Sequence, residues 1–210
     1  MPRPHAPSPV PIGAHAAMPA DNLVGRDDLI AQIESLLGAG RDVLLLGPPD
    51  VGKTAVILAL AGRGFDPVMV VDPFEHVTPR VAAAIRRGSD RAVQYLAATR
   101  SVDRAHLGAV RRIAWRFTTV RVPPLPLRLI RRVIAIECAT VLLPEHLARS
   151  DWGTAVGHLA QGRPGLAIAI VRAAAGILER SGALPSPRLA YVDARMRSAG
   201  VIGVSASERR

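Results

Sequence analysis

One stretch decides the fold of this chain: Gly47-Pro48-Pro49-Asp50-Val51-Gly52-Lys53-Thr54. The stretch fits the pattern G-x-x-x-x-G-K-[ST], which is typical of a loop that cradles phosphate groups. Before it, residues 43–46 form an apolar run that predicts a strand buried on both faces. After it, residues 55–61 predict a helix that ends at Gly62. A strand, a Gly-rich loop and a helix start, in that order, predict a phosphate-binding site.

The residue types in this loop suit the chemistry of a nucleoside triphosphate. Backbone N–H groups of the loop and the helix N-terminus favour an anion, and Gly47 and Gly52 allow its close approach. Lys53 would reach the terminal phosphates, and Thr54 would bind a magnesium ion. Lys53 is also the only lysine, since the other 26 of the 27 basic residues are arginine. A compact, flexible charge suits this position better than a planar guanidinium, which supports the assignment.

Composition excludes several classes of protein. The chain has 210 residues and is 49% hydrophobic, which is enough for one domain with a small annex. Aromatic residues make up only 3%, so base stacking is not expected as the main binding mode. No apolar run approaches the roughly 18 residues of a membrane span, and residues 1–20 contain no apolar core of a secretory signal. The lone Cys138 lies in an apolar stretch, so we expect a cytoplasmic protein with no disulfide and no membrane partner.

The positive charge of the chain is concentrated in one block. The formal net charge is +10, and residues 80–132 contain thirteen arginines but only two acids, Asp90 and Asp103. Such a block favours a polyanionic partner, most often nucleic acid. Arginine replaces lysine almost everywhere, however, and a GC-rich genome would produce the same bias without any partner. Both interpretations stay open, and DNA is the candidate partner under the first.

Hydrophobic periodicity divides the chain into four parts. Residues 1–20 are rich in Pro, Ala and Ser and predict a disordered arm, whereas residues 21–126 alternate helices with buried strands. After Pro126 the pattern is helical only, which predicts a lid at residues 127–182 and a tail at residues 183–210 with one short helix, 189–197. In the core, the predicted helices are 27–37, 55–61, 78–87 and 103–112, and the predicted strands are 43–46, 67–72, 93–98 and 118–122.

The order of these motifs resembles that of the AAA+ and STAND-type ATPases. Leu23-Val24-Gly25-Arg26-Asp27 and the amphipathic helix after it lie about 20 residues before the phosphate loop, where these families place a segment beside the adenine. The resemblance implies that Leu23, Val24 and Gly25 line the pocket of the base. It also implies an α/β fold, in which a parallel P-loop NTPase sheet binds ATP at the carboxyl ends of its strands, beneath a C-terminal helical lid. ATP and Mg²⁺ are the expected ligands.

The strand after the P-loop helix ends in Asp72, as in the Walker B motif of these families, and Asp72 would join Thr54 in the magnesium shell. Two features depart from the family pattern. Only 18 residues separate Lys53 from Asp72, so we expect the sheet to lack one strand-helix unit. Pro73 occupies the position of the usual catalytic glutamate. Glu75 could replace that acid only if the turn redirects it; otherwise it would be a surface carboxylate at a helix N-terminus, the alternative that the sequence slightly favours.

Other polar positions resemble elements that complete the nucleotide site. Thr99, with Arg100 as second candidate, ends a strand that resembles the sensor-1 strand, whose polar end contacts the terminal phosphate or the water. Residues 114–117 resemble the segment that carries the arginine finger, so Arg116 would reach into a neighbouring subunit's site, with Arg111 and Arg112 behind it. The alternative for Arg116 is one more solvated arginine in a basic block.

In the lid, Gly162-Arg163-Pro164 resembles the G-x-P element of STAND ATPases, whose proline packs on the nucleotide. By this resemblance, Pro164 would contact the nucleotide and Arg163 would reach its phosphates from the lid. The lid would close on ATP, and an arginine of a neighbouring copy would complete the site. We therefore expect a homo-oligomer, a ring or a filament, at least when ATP is bound.

Two roles remain open for such a protein. In the first, the ATPase assembles on DNA in an ATP-dependent way, with slow or partner-stimulated hydrolysis. In the second, it is a nucleotide-controlled switch or scaffold that acts on a separate effector protein with little turnover, which the departure at Pro73 would favour. A third interpretation is a structural subunit that only binds nucleotide.

Overall fold

The computed structural model of the chain describes residues 23–61, 63, 68–88 and 94–200. Within this part the strands are β1 (Val43–Leu46), β2 (Val68–Val71), β3 (Gln94–Thr99) and β4 (Thr118–Arg121). The α-helices of the core are α1 (Asp27–Gly38), α2 (Lys53–Ala61), α3 (Pro79–Gly88) and α4 (Arg104–Leu107). Those after the core are α5 (Leu127–Thr140), α6 (Asp151–Ala160), α7 (Pro164–Ser181) and α8 (Pro187–Ser198). The predicted arm at residues 1–20 lies outside the described residues.

The four strands form one parallel sheet in the order β2-β3-β1-β4. β1 lies in the middle, with Val43 opposite Leu96 on one side and Thr118 on the other. Because all strands run in the same direction, their carboxyl ends share one edge, which is where open α/β sheets bind ligands. The chain passes from α2 to β2 through residues 62–67, a connection too short for a further strand and helix. The predicted α/β fold with a trimmed parallel sheet is confirmed.

The central strand β1 is covered on both faces. Its side chains alternate in direction, so Val43 and Leu45 enter one hydrophobic cluster and Leu44 enters another. The first cluster lies between the sheet and the helices α1 and α2. The second lies on the opposite face, beneath α3 and residues 107–117. Burial on both faces explains why this strand is an uninterrupted apolar run in the sequence.

The helices after the core form a unit with a hydrophobic cluster of its own, to which α5, α6, α7 and α8 all contribute. α8 packs mainly against α7 and α6, and it buries Ala190 and Ala194. The lid therefore extends past residue 182, the predicted boundary, to Ser198. The buried positions of α8 are short alanines, which give only a weak periodic signal in the sequence. No helix among residues 23–61, 68–88 and 94–200 is both long and apolar enough to cross a membrane.

The predicted helix at residues 103–112 is wrong in its extent. α4 ends at Leu107, and two 3-10 segments follow, Gly108–Arg112 and Ala114–Arg116. Gly108 has a φ of +50°, a backbone conformation that a right-handed helix does not contain and that favours glycine. Val110 and Ile113 then bury their side chains three residues apart, as the tighter 3-10 spacing allows. The glycine thus ends the helix and turns the chain along the second face of the sheet.

The packing of α6 generates a prediction about stability. A β-carbon at Gly153 would lie 2.4 Å from the backbone oxygen of Leu147 and 2.5 Å from that of Ala148. We expect Gly153→Ala to lower the free energy of unfolding by about 2 kcal/mol, because backbone atoms in a packed unit cannot move aside freely. Urea denaturation measures the change. Gly38→Ala is the control, since a β-carbon there meets nothing within 4 Å, and equal losses in the two variants would contradict the explanation.

Candidate nucleotide-binding site

The loop between β1 and α2 holds its shape through backbone conformations that few side chains allow. Gly52 has a φ of +99° and Asp50 a φ of +63°, both in the left-handed region. At Gly47 a β-carbon would lie 3.0 Å from the side chain of Val51 and 3.1 Å from the backbone oxygen of Val122. Glycine at both ends of the loop therefore has a structural reason, and the loop curves round a space that an anion can enter.

Lys53 is the first residue of α2 and reaches back over the loop. Its Nζ donates hydrogen bonds to the backbone oxygens of Gly47 at 2.8 Å and Pro48 at 2.9 Å. Burial lowers the pKa of Lys53, although the carboxylates of Asp72 and Glu75 act in the opposite direction. The ammonium group is thus held inside the loop, where phosphate oxygens could take the place of the two carbonyl groups.

Thr54 and Asp72 meet at the carboxyl edge of the sheet. The Thr54 hydroxyl donates a hydrogen bond to Asp72 Oδ2 at 2.6 Å, so the two predicted magnesium ligands lie together although 18 positions separate them. Among the described residues, no group of three or more His, Cys, Asp or Glu side chains could hold a metal ion. One hydroxyl and one carboxylate fit Mg²⁺, which keeps several waters and takes its remaining ligands from phosphate.

Glu75 points into this site. It lies on a 3-10 turn, Phe74–His76, whose Phe74 is fully buried against the second face of the sheet. The Glu75 side chain is only 5% exposed, and its Oε1 lies 3.3 Å from Nε2 of His106 and 3.6 Å from Nε of Arg100. The expectation of a surface carboxylate is therefore wrong. Because burial of Phe74 anchors the turn, the glutamate side chain is directed inward.

The charge of Glu75 is stabilised by its surroundings. Burial alone raises the pKa of Glu75, but a backbone hydrogen bond, the Thr99 hydroxyl and the His106 imidazole together lower it below its usual range. Its Oε2 atom is buried without a hydrogen-bond partner among the described residues. The carboxylate is thus ionised at neutral pH, with one oxygen paired and one oxygen able to accept a proton or a hydrogen bond.

Thr99 ends β3 next to the phosphate loop. Its residue is 1% exposed, and its backbone oxygen accepts a hydrogen bond from the Gly47 N–H at 3.3 Å. Its hydroxyl has one hydrogen for two acceptors, Glu75 and the backbone oxygen of Ser101 at 3.0 Å. Arg100, by contrast, has a side chain that is 58% exposed, although its charge contributes to the lowered pKa of Lys53. Thr99 and Arg100, the two candidates for the polar residue at the end of this strand, thus both lie near the P-loop.

A cavity of about 300 Å³ opens beside the loop and extends beneath the lid. Leu23 and Val24, which are predicted to line the pocket of the base, line this cavity. Its other apolar lining residues are Leu125, Val133, Ile136 and Ile168, and its polar ones include Lys53, Thr54, Arg26 and Glu137. Gly25 is not among the lining residues; it has a φ of +64°, and a β-carbon there would lie 2.2 Å from Leu129. Gly25 therefore shapes the turn that carries Leu23 and Val24, and the cavity joins an apolar end to a phosphate end.

Sequence reasoning missed two polar residues of this cavity. Arg26 is 4% exposed, and its Nη2 donates to the backbone oxygen of Val51 at 2.9 Å; burial lowers its pKa. Glu137 is buried in α5, where its Oε1 accepts a hydrogen bond from Arg172 Nε at 2.6 Å. Both had a signal in the sequence. Arg26 adjoins the segment predicted to contact the base, and Glu137 interrupts an apolar run.

The lid is docked on the phosphate loop. At the start of α7 the Gly165 N–H donates to the backbone oxygen of Asp50 at 2.9 Å, and Pro164 lines the cavity, in line with its predicted place. Arg163 does not line it. Its Nε donates to the backbone oxygen of Ala160 and its Nη2 to Oε1 of Gln161, both at 3.2 Å. The Arg163 side chain therefore folds back on the end of α6 in this structure, and its reach to the phosphates stays a prediction.

Arg116 lies at the opposite edge of the sheet. Its Nη2 donates to Asp42 Oδ2 at 3.0 Å, its Nη1 donates to the backbone oxygen of Ile85 at 2.9 Å, and its side chain is 14% exposed. Asp42 directly precedes β1, so this ion pair fastens the amino ends of the strands. The structure favours this internal role for Arg116 over the predicted finger, whereas Arg111 and Arg112 are exposed.

Solved structures of two known proteins resemble the fold of this chain. RuvB from Thermotoga maritima, a Holliday junction branch migration motor, is 16% identical, with a TM-score of 0.58 over 91% of this chain and 76% of RuvB. A katanin structure solved in a study of katanin self-assembly is 16% identical, with a TM-score of 0.55 over 90% of this chain and 86% of katanin. No protein-family model and no curated protein matches the chain. Both neighbours are AAA+ ATPases, and the likeness shows that this chain has the AAA+ P-loop fold.

The Arg116–Asp42 ion pair generates a prediction that separates a structural arginine from a finger. We expect Arg116→Met to lower the free energy of unfolding by about 3 kcal/mol, because it leaves the buried Asp42 carboxylate without its partner. Urea denaturation of the unliganded protein measures the loss. Arg121→Met, which removes an exposed arginine, is the control and should change stability by less than about 0.5 kcal/mol. If both variants are as stable as the unaltered chain, the structural role is refuted.

The lowered pKa of Glu75 generates a prediction about pH. Because the folded state lowers this pKa, ionised Glu75 stabilises the fold above the ordinary glutamate pKa of 4.5, and this stability is lost as the pH falls through the folded-state value. We therefore expect Glu75→Gln to be less stable than the unaltered chain at pH 7, and the gap in urea denaturation to shrink at pH 4 and below. Glu179→Gln, at an exposed position, serves as the control. A gap that is constant across this range would contradict the prediction.

Proposed function

We propose that this protein binds ATP with Mg²⁺ between the P-loop and the lid, hydrolyses it with Glu75 as the general base, and assembles on DNA. The observation that carries the proposal is that Lys53 and Thr54 line a largely apolar cavity, with Asp72 and Glu75 next to them. Asp72 accepts a hydrogen bond from Thr54, and the charge of Glu75 acts on Lys53. A bound magnesium ion would supply positive charge that neutralises the phosphates.

Binding of the triphosphate follows from the loop and from Lys53. Loop N–H groups and the N-terminus of α2 face the phosphates, and the Lys53 ammonium exchanges the carbonyl groups of Gly47 and Pro48 for phosphate oxygens. Thr54 and Asp72 hold the magnesium ion through the hydroxyl and the carboxylate that already contact each other. The base enters the apolar end of the cavity, beside Val24 and Ile168.

Hydrolysis needs a base that replaces the glutamate missing at Pro73. The attacking water forms a bond to the γ-phosphorus and gives a proton to Glu75 Oε2, while the bond between that phosphorus and the bridging oxygen of ADP breaks. Oε2 is the buried carboxylate oxygen without a partner among the described residues, and Oε1 lies nearest to His106 and Arg100, at 3.3 and 3.6 Å. The same pairing lowers the basicity of Glu75, so we expect slow hydrolysis that a partner can stimulate.

The proposal of DNA as partner rests on the charge of the core. Of the arginines at residues 80–126, a described and exposed set could contact phosphates: Arg80, Arg86, Arg87, Arg100, Arg111, Arg112 and Arg121. The likeness to RuvB, a branch migration motor, supports a DNA substrate, and the likeness to katanin supports self-assembly. A homo-oligomer whose site receives an arginine from a neighbour would couple nucleotide state to assembly.

One observation supports the second candidate function, a nucleotide-controlled switch acting on an effector protein. The lid touches the phosphate loop directly, through the hydrogen bond from Gly165 to Asp50 and through Pro164 against Gly52. A nucleotide that enters this contact would change the position of α7 and of the helices packed on it. Such a switch needs binding but no turnover, which separates it from the first proposal by experiment.

We expect Glu75→Gln to lower ATP turnover by about 100-fold or more, because a general base commonly contributes that much, and to leave ATP affinity within about threefold. Lys53→Ala should instead abolish ATP binding. Phosphate release measures turnover, and calorimetry measures affinity, each with and without DNA. Unchanged turnover in Glu75→Gln would refute the assigned base, retained affinity in Lys53→Ala would refute the loop, and tight binding without any turnover in the unaltered chain would establish the switch.

A further inference from the structure

We propose that a second cavity, between α3 and residues 108–113, binds the backbone of single-stranded nucleic acid, and that Trp115 stacks on one of its bases. We name this cavity the arginine groove. The inference deepens the proposed function, on which it rests for DNA as the partner. The strand would lie in the arginine groove, it would be unpaired, and its binding would affect the nucleotide site.

The arginine groove is large and separate from the ATP cavity. Its volume is about 670 Å³, and the two cavities share no lining residue. One wall is the face of α3 that carries Ala82, Ala83 and Arg86, and the other carries Ala109, Arg111 and Arg112. The alanine side chains are small, so the groove has room for a sugar-phosphate chain between Arg86 on one wall and Arg111 and Arg112 on the other.

The charge of the groove is of one sign. Among the residues that the structure describes, the ionisable groups that line it are three arginines, Arg86, Arg111 and Arg112, and no carboxylate. Within the part of the chain that the structure describes, the side chains of Arg111 and Arg112 have no ion-pair or hydrogen-bond partner. Guanidinium groups bind phosphate oxygens through two parallel hydrogen bonds, and phosphate contacts supply most of the affinity for nucleic acid. Arginines that serve only to keep a surface solvated have no reason to line the same cavity, so their clustering supports an anionic ligand.

Trp115 is the feature that selects an unpaired strand. Its residue is 80% exposed, although tryptophan is a side chain that proteins usually bury in large part. Its Nε1 donates to the backbone oxygen of Arg112 at 3.0 Å, which fixes the ring at the end of the arginine row and leaves most of it open to solvent. A base can stack on such a ring when it is not paired in a duplex. A duplex would offer the groove its phosphates only.

The arginine groove lies next to the turn that carries Glu75, since Phe74 of that turn shares a hydrophobic cluster with residues of both walls. α3 follows the 3-10 turn that carries Glu75, and the opposite wall follows α4, which carries His106. His106 Nε2 lies 3.3 Å from Glu75 Oε1, so these two side chains meet where the two walls begin. A strand that enters the groove and changes the distance between the walls would loosen this pair and raise the basicity of Glu75. Single strands should therefore stimulate ATP turnover more than duplexes.

The test measures binding of a fluorescent 20-nucleotide oligothymidine, and of a 20-base-pair duplex, to the full chain by anisotropy over a range of salt concentrations. We expect tighter binding of the single strand.

Trp115→Ala should weaken single-strand binding by about fivefold or more and leave duplex binding unchanged. Replacing Arg111 and Arg112 together by Gln should weaken binding of the single strand and of the duplex. It should also lower the slope of log affinity against log salt concentration for the single strand by about one unit or more. The matched control replaces Arg128 and Arg132, which carry the same charge on α5, by Gln and should retain most of the affinity.

A second readout follows the ring itself. In a Trp152→Phe background, tryptophan emission comes from Trp115 alone, and oligothymidine should quench it. ATP turnover of the same samples should rise with the single strand in the unaltered chain and not in the Trp115→Ala variant. Since Trp115 is exposed, its replacement does not disturb the core.

Each contrary result overturns a defined part of the inference. Equal losses in the groove variant and in the α5 control would show a diffuse charge effect and refute the groove, while the DNA part of the proposed function would stand. If the chain still binds ATP but binds neither the single strand nor the duplex, both the groove and the DNA part of the proposed function are refuted. If sedimentation shows that the groove variants lose self-association and keep DNA affinity, the groove is an interface between copies of this chain and the inference fails.

Discussion

The parallel pairing of β1 with β3 and β4 is the constraint on which the rest of the structure depends. Parallel strands end at one edge, so the phosphate loop after β1 meets Thr99 at the end of β3 and Asp72 after β2. The same geometry collects the amino ends at the opposite edge, where Arg116 binds Asp42. Both the candidate site and the ion pair that braces the sheet therefore follow from strand direction, since the residues in each set are far apart in the sequence.

The chain lacks one strand-helix unit, and Pro73 stands where the usual glutamate is expected. Glu75 is the carboxylate that lies near the site instead. A 3-10 turn anchored by Phe74 carries Glu75 inward, and His106, Arg100 and Thr99 stabilise its charge. A carboxylate held so firmly is a weak base, which explains in physical terms how the site could bind ATP well and hydrolyse it slowly until a partner alters these contacts.

Two cavities lie on either side of this turn. The cavity proposed for ATP is bordered by the lid, where Gly165 contacts Asp50, and the arginine groove is walled by the elements that follow Glu75 and His106. The Glu75 side chain is 5% exposed and lies 3.3 Å from that of His106, so a displacement of either wall would change the surroundings of the proposed base directly. Coupling between nucleic acid and ATP would then need no transmission through the sheet.

The sequence by itself determined the phosphate loop, its strand and helix, the acid at Asp72 and the helical lid, because each is written in contiguous residues whose spacing and apolar period have a local meaning. It did not determine that Glu75 is buried, that Arg26 enters the ATP cavity, that Arg116 is held by Asp42, or that α8 belongs to the lid. The partners Asp42 and Arg116 are 74 positions apart, and α8 buries alanines that carry almost no pattern. These features depend on which surfaces meet after folding, and only the tertiary structure decides that.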